Sequence, residues 1–425
     1  MSSAARWAIT ATIVLQCVVL ARMLRRDGPF DHVGMDYLTT WVASDMVLHG
    51  DAGRLYDTRV QWAYQLPITE RYGVHWDDRV MHPYLAPPPL AIVGLPLALL
   101  SPVISLAVWM AVGLGAVGFA IRRIAATFSV DWRAILPLVA GSMPLFALVM
   151  LGQADGLLAA AFAIFVVQLR RRNEGRAGIA LAALALKPQL LLAPLVYLLV
   201  TGRRRTVVAA GLAGLVEAVA SVALIGVGGV RDELAVSRRM AGPAGEAVIN
   251  VRGMLNVRAA VFRVLPLDMA GWQAPAVIVL TLAILGASAW IWRQYDSREA
   301  TAGGVGLLAI TTVLTALHAH YHTGVIALIG IGLLVAALRE RGAHLAAGRV
   351  TAVTWVSFSL VPFLMFLDVE STRMPAALGT VVLLGLWSWA AWDLALRPRE
   401  APARLRVSAT ATRVVPGSTG DPPGA

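Results

Sequence analysis

The sequence has little of several things that a soluble enzyme usually carries. It contains one cysteine, Cys17, so no disulfide can form within the chain. Charged residues make up only 14% of the chain, whereas soluble domains carry about a quarter. No glycine-rich dinucleotide pattern, Walker A pattern or zinc-ligand spacing occurs. These absences argue against a soluble domain and give no sign of a nucleotide or zinc site.

What the chain does contain is apolar residues, at 58% of the sequence with a mean hydropathy of +0.70. Apolar runs of about 16 to 22 residues recur from end to end, and a bilayer core needs about 20 residues of helix. The alternation expected of a membrane β-barrel is absent, so the runs are predicted to be helices. The sequence therefore predicts an all-α polytopic membrane protein.

Arginine clusters between the apolar runs predict the topology, because cytoplasmic loops are enriched in Lys and Arg. With all clusters inside, about ten transmembrane helices fit, and both termini are cytoplasmic. The predicted spans are 7–24, 102–121, 134–150, 153–169, 206–227, 273–292, 302–317, 322–338, 349–367 and 375–394. Two further apolar stretches, 89–100 and 179–200, are predicted to be short half-membrane segments, each either a hairpin or a broken helix, and the second is interrupted at Lys187-Pro188.

This topology gives a single integral membrane domain, 1–395, and a disordered cytoplasmic tail, 396–425. It places a long first loop, 25–88, and a second outer loop, 228–272, on the extracytoplasmic face. Nine of the chain's 25 acidic residues fall in the first loop, and unstructured loops beyond about 15 residues are usually functional. We therefore expect surface helices in this loop and a multi-pass plasma-membrane protein whose site is extracytoplasmic.

Asp36 is the candidate for catalysis in the first loop, with Tyr37 beside it and Trp41 further along an expected helix. A carboxylate held against aromatic side chains at a bilayer surface can accept a proton from a hydroxyl group. The alternative is a solvated loop acid or a helix N-cap, which position alone favours.

Lys187 is the only lysine in the chain and lies in the broken apolar stretch. Charges within membranes are costly and are candidates for function, and a lysine there can meet a phosphate as a point charge. A lysine that extends to the membrane boundary is the alternative. Gln153, Asp155 and Arg258 are weaker candidates for substrate contacts, and an N-cap role is favoured for Asp155.

The segment HAHYH, between two predicted spans, contains His318, His320 and His322 with Tyr321 between the last two. Imidazole is a common metal ligand, but no nearby carboxylate completes a metal site in the sequence. Contacts to phosphate or sugar hydroxyls are favoured instead, and we predict neither a metal nor a cofactor.

Several of these residues belong to segments that match a known pattern in order. The segments are Gly34-Met35-Asp36-Tyr37 with Trp41 and Leu55-Tyr56-Asp57, Tyr84–Pro89 with Leu95-Pro96-Leu97, Gly152-Gln153, Leu186-Lys187-Pro188 with Arg203–Arg205, and HAHYH. Together they resemble the glycosyltransferase C superfamily, and within it family 87, the polyprenyl-phosphate-mannose-dependent alpha-mannosyltransferase-like membrane proteins. The chain departs from the pattern at Asp155, where Asn is usual, at Thr323, where Asp is usual, and in lacking a Ser-Pro pair before the histidines.

The resemblance implies a hexosyltransferase that moves a mannose-like sugar from a polyprenyl-phosphate donor to a lipid or glycan acceptor, with inversion. It implies Asp36 as the base, and Lys187, His318 and His322 are the candidates for binding the donor phosphate. The weaker candidates for substrate binding are Tyr37, Trp41, Gln153, Asp155, His320, Tyr321 and Arg258.

A transporter or flippase of a lipid-linked sugar is the alternative function. Transporters often carry internal repeats and ionisable groups on several spans, whereas no repeat is visible here and the acids crowd one loop. A glycan polymerase or ligase would place its main loop late in the chain. No feature indicates a nucleic-acid partner, and the sequence leaves the oligomeric state open.

Overall fold

In the computed structural model of the protein, the described residues are 3–74, 82–241, 251–265, 269–296, 299–369 and 373–396. These residues are almost all helical, and their only β pairing is two isolated bridges. The all-α class predicted from the sequence is confirmed. The predicted tail beyond Leu396 lies outside the described residues.

The α-helices follow one another along the described residues, with short 3₁₀ or π helices between some of them. They are α1 (Ser3–Asp27), α2 (Met35–Leu48), α3 (Thr58–Tyr72), α4 (Pro88–Ala98), α5 (Pro102–Thr127), α6 (Leu136–Val139), α7 (Met143–Leu151), α8 (Asp155–Arg170), α9 (Glu174–Ala182), α10 (Leu192–Val200), α11 (Arg204–Ala241), α12 (Val257–Val264), α13 (Ala270–Tyr295), α14 (Ala302–Thr315), α15 (Gly324–Glu340), α16 (His344–Trp355), α17 (Val361–Val369) and α18 (Arg373–Ala395).

Seven helical segments among the described residues are long and apolar enough to cross a membrane, and a pair bent by 65°, 132–151, makes an eighth. The protein is therefore a multi-pass membrane protein, but it has fewer long helices than the ten predicted spans. The difference lies in α8, which has 16 residues, and α14, which has 14. Fourteen residues of helix measure only about 21 Å, less than the hydrocarbon thickness of about 30 Å.

The centre of the bundle is formed by α14 and α15, whose side chains are buried along almost their whole lengths. Glycines allow the two helices to approach closely, because a Cβ atom added at Gly330 would lie 2.4 Å from the Cβ of Ala309. By contrast, α11 and α13 expose apolar side chains such as Val216 and Leu282. This pattern is typical of helices that face lipid.

The segment 174–200 has the predicted break at Lys187, where φ is −134° and ψ is 82°. The Lys187 side chain contacts Asp155, the first residue of α8. Near the end of the segment, the Tyr197 hydroxyl donates a hydrogen bond to Asp296. Asp296 is close to Ala300, and the carbonyl of Ala300 accepts a hydrogen bond from Arg170 in the last turn of α8. The segment is therefore a hairpin, with its tip at one end of α8 and its base at the other end, about 24 Å away.

The first loop contains the predicted surface helices, α2 and α3, which pack with the start of α4 into a small apolar cluster. We call this group, which includes Leu38, Val42, Leu55 and Tyr56, the first-loop cluster. The predicted second outer loop begins as a continuation of α11, which bends at Gly226, where φ is 68° and ψ is 174°.

Candidate active site

A cavity of about 690 Å³ lies where α2, the α7–α8 turn, the hairpin tip and the α14–α15 connection meet. Most of the residues singled out from the sequence line it, although they come from distant parts of the chain. They are Asp36, Gln153, Lys187, Arg258, His318, His320, Tyr321 and His322.

Asp36 lies in the first turn of α2, beside the turn that joins α7 to α8. Gly152 makes this approach possible: its φ is 69°, and a Cβ atom there would lie 2.5 Å from the Cβ of Tyr37. The Asp36 carboxylate accepts a hydrogen bond from the Gln153 amide at 2.5 Å. Gly34, not Asp36, is the N-cap of α2, so the structure contradicts the N-cap alternative for Asp36.

Tyr37 and Trp41 do not line the cavity. The Tyr37 side chain is buried, its hydroxyl bonds to Ser105, and its ring lies 5.4 Å from that of Trp109. The indole of Trp41 donates to the carbonyl of Leu100 at 3.3 Å. Both side chains hold α2 in place, and the structure does not bring them to a position for the predicted substrate contacts.

Asp155 is fully buried beneath the cavity and holds three side chains around it. Its carboxylate accepts hydrogen bonds from Lys187 Nζ at 2.7 Å and from Thr323 Oγ1 at 2.7 Å. His322 Nδ1 lies 2.8 Å from the same carboxylate, without a hydrogen bond between them. The side chain makes no capping bond at the start of α8, so the favoured N-cap role is wrong.

Asp155 and Thr323, the two positions at which the sequence departs from the pattern that it resembles, are in direct contact. This chain keeps the negative charge on α8 and has only a hydroxyl at the start of α15.

Gln153 connects the candidate base to the lysine. Its amide nitrogen donates to Asp36, and its amide oxygen accepts from Lys187 at 3.1 Å. A hydrogen-bonded chain thus runs from Asp36 through Gln153 and Lys187 to Asp155. The Lys187 side chain remains 20% exposed, so it can still contact a ligand in the cavity.

The histidines of HAHYH form a row, with ring centroids 5.1 Å apart for His318–His320 and 5.7 Å apart for His320–His322. Burial lowers the pKa of His318 to about 4, and repulsion from Arg258 and Lys187 adds to this effect. Burial also holds the pKa of His320 well below its ordinary value. Both imidazoles are therefore neutral at pH 7 and can donate hydrogen bonds to a phosphate without adding charge.

A model of glycosyltransferase family 87 matches residues 84–319, more than half of the chain. The chain belongs to glycosyltransferase family 87. Gln153, Lys187 and His318 lie within the matched residues, whereas Asp36 and His322 lie outside them. No curated protein and no solved structure matches this family 87 glycosyltransferase.

Sequence reasoning missed several residues that line the cavity of this glycosyltransferase: His82, Gln189, Glu233 and Ser237. His82 lies near Asp36, but burial lowers its pKa more than the Asp36 carboxylate raises it. Two signals were present in the sequence, since His82 precedes the matched segment Tyr84–Pro89 and Gln189 follows Lys187-Pro188. Nothing in the sequence pattern marked Glu233 or Ser237.

Among the described residues, potential metal ligands converge at Asp27, Asp31 and His32, whose ligand atoms lie within 4.8 Å of one another. His32 also lines the cavity. The histidines of HAHYH do not form such a group within the described part of the chain. The structure thus gives the metal alternative for HAHYH no support.

Proposed function

We propose that this glycosyltransferase transfers a hexose, mannose-like, from a polyprenyl-phosphate donor to a lipid or glycan acceptor. One observation carries the proposal: a single cavity contains the Asp36 carboxylate together with Lys187, Arg258 and the histidine row. A sugar phosphate needs cations and hydrogen-bond donors at its phosphate, and the incoming hydroxyl needs a base. The family membership supports glycosyl transfer as the reaction.

In the proposed reaction, Asp36 accepts the proton of an acceptor hydroxyl. The hydroxyl oxygen forms a bond to the anomeric carbon while the bond from that carbon to the phosphate oxygen breaks, so the configuration inverts. The electron pair of the broken bond leaves with the polyprenyl phosphate, which needs no proton. Lys187, Arg258, His318 and His322 stabilise the negative charge that develops on this leaving group.

We propose that the lipid part of such a donor leaves the cavity through a neighbouring groove. It measures about 140 Å³, is lined by residues of α1 and α17, and shares Met23 and Phe366 with the cavity. Its other lining residues include Arg22 and Arg26. An isoprenoid chain that leaves the cavity here would pass between two membrane helices.

The sharpest test is Asp36→Asn in purified protein, assayed for sugar transfer from a polyprenyl-phosphate sugar. We expect the rate to fall by about 10²- to 10⁴-fold, the usual contribution of a general base. Asp45→Asn is the matched control, because Asp45 lies on the same helix, contacts His49 and does not line the cavity. Wild-type turnover in Asp36→Asn would refute the assignment of Asp36 as base.

The same assay in sealed vesicles tests the proposed extracytoplasmic orientation. A water-soluble acceptor analogue that cannot cross the bilayer should be glycosylated by right-side-out vesicles and not by inverted ones. The reverse pattern would place the site on the cytoplasmic face.

A further inference from the structure

The bend in α11 places its last turns against the first loop. Gly226 adopts a φ of 68° and a ψ of 174°, a conformation that is essentially restricted to glycine. Ile225, just before the bend, is buried in the first-loop cluster. After the bend, a Cβ atom added at Gly229 would lie 3.4 Å from the carbonyl of Gly53. The segment 227–241 thus crosses the first loop instead of continuing straight.

One face of this segment points to the cavity. Val230 packs on the first-loop cluster, and Glu233 and Ser237 line the cavity. These three residues share a helical stripe, since positions three and four apart lie on one face. Asp232 and Leu234, on either side of Glu233, are exposed. A carboxylate therefore occupies an inward position where an apolar residue would pack.

Within the described part of the chain, the Glu233 carboxylate has no hydrogen-bond or ion-pair partner. Burial raises the pKa of Tyr56 and Tyr84, and the charge of Glu233 adds to this effect. The two tyrosine hydroxyls donate instead to the carbonyls of Ala86, at 2.6 Å, and Pro87, at 2.8 Å. Both carboxylate oxygens of Glu233 are thus available to accept hydrogen bonds from a ligand.

The charges in the cavity indicate which ligand this is. Lys187 and Arg258 are the Lys and Arg side chains among its lining residues, and neither pairs with Glu233 within the described structure. Arg231, Arg238 and Arg239 on the same segment are exposed and do not line the cavity. In the proposed reaction Lys187 and Arg258 serve the donor phosphate, which leaves Glu233 and Asp36 as two carboxylates that accept hydrogen bonds and repel an anion placed beside them.

We propose that Glu233 and Ser237 form the acceptor subsite, and that this subsite takes a head group with neighbouring hydroxyls and no negative charge. The inference rests on the proposed function, in which Asp36 takes the proton from one of those hydroxyls. Glu233 accepts a hydrogen bond from a second hydroxyl, and Ser237 bonds to a third. Glu233 is thereby a specificity-determining residue that orients the acceptor.

The test is direct binding to the full-length protein in phosphatidylcholine nanodiscs that contain saturating polyprenyl monophosphate, which occupies Lys187 and Arg258, and no sugar donor. The probes are octyl α-mannoside, its soluble counterpart methyl α-mannoside, and the anionic octyl glucuronide. We expect the wild-type protein to bind octyl mannoside at least about 10-fold more tightly than octyl glucuronide. Glu233→Gln should weaken mannoside binding by about 5-fold, because a charge-assisted hydrogen bond becomes a neutral one, and should reduce the discrimination against the glucuronide.

Asp232→Asn is the matched control, since it removes a neighbouring exposed carboxylate outside the cavity, and it should bind as the wild type does. If Glu233→Gln unfolds at a lower temperature than the wild type, Ser237→Ala replaces it as the test variant. We expect Ser237→Ala to weaken mannoside binding about 2-fold. Tighter binding of the octyl than of the methyl mannoside indicates a lipid-linked acceptor, and equal binding indicates a free glycan.

Unchanged mannoside binding in Glu233→Gln, no mannoside binding by the wild type, or equal binding of the glucuronide would overturn the subsite. Because no donor is present, a failure here is separate from a failure of sugar transfer in the Asp36 experiment.

Discussion

Asp155 is the residue on which the charge balance of the site depends. Its buried carboxylate is the ion-pair partner of Lys187 and lies beside His322. Removing one partner of a buried ion pair leaves the other charge uncompensated, which costs more than the pair itself contributes. Asp155 therefore acts on substrates through the side chains that it holds, and we assign it as a positioning residue.

We predict that Asp155→Asn lowers the free energy of unfolding by about 3 kcal/mol and reduces transfer activity. Adding Thr323→Asp should recover much of both losses, because Thr323 Oγ1 lies 2.7 Å from the Asp155 carboxylate and the new carboxylate would reach the same neighbours. Unfolding in an SDS titration measures the first effect. A double variant no better than Asp155→Asn would show that the carboxylate is required on α8 itself.

Among the elements, α11 is the one whose shape decides what reaches the cavity. Its bend depends on Gly226, which has open space around it but a positive φ. Alanine at that position either retains a strained backbone, which costs of order 1–3 kcal/mol, or straightens the helix. In the second case Glu233 and Ser237 move away from the cavity.

We predict that Gly226→Ala lowers the unfolding temperature and weakens the binding of octyl mannoside. Gly214→Ala is the control, because Gly214 is in the same helix, has open space around it and no positive φ. Alanine in an ordinary helical position is favourable by up to about 1 kcal/mol, so this variant should be neutral or stabilised. Equal effects of the two substitutions would contradict the importance of the bend.

At the scale of the whole molecule, the two ends of the helix bundle are chemically different. One end carries the cavity, and the other carries arginines and the buried carboxyl group of Asp296. Thr301 and Tyr197 donate hydrogen bonds to Asp296 at 2.7 Å and 3.1 Å. Burial nevertheless raises the pKa of Asp296 to about 6 from an ordinary value of 3.8. Folding therefore favours protonation of Asp296 relative to an exposed carboxyl group.

The consequence is a pH dependence of stability with a defined sign. Folding raises the pKa of Asp296, so the protonated side chain contributes to the free energy of unfolding. This contribution is fully present below about pH 4 and is lost as the pH rises through 6. The shift corresponds to about 3 kcal/mol. We predict that Asp296→Asn flattens the change in unfolding temperature between pH 4 and 7, whereas Glu299→Gln, at an exposed carboxylate paired with Arg170, does not. An unchanged pH profile in Asp296→Asn would contradict the raised pKa.

The sequence predicted the membrane class well because hydropathy is a local property. Each predicted span coincides with a helical segment, and the predicted span 134–150 coincides with the bent pair 132–151. The break at Lys187 could also be predicted, since a charge and a proline interrupt an apolar run. The role of Asp155 could not be predicted, because a buried carboxylate and a capping one have the same local sequence. Nor could the burial of Tyr37, which depends on its contacts with Ser105 and Trp109.

By itself, then, the sequence determined the helices, the hairpin and a short set of polar residues whose desolvation in a membrane requires partners. Only the tertiary structure decided which residues are the hydrogen-bond partners of these side chains. Asp36 meets Gln153 across 117 residues, and Asp155 meets Thr323 across 168. After the bend at Gly226, the start of the predicted second outer loop is helical and lines the cavity. Such contacts depend on how distant helices pack, and no local pattern encodes them.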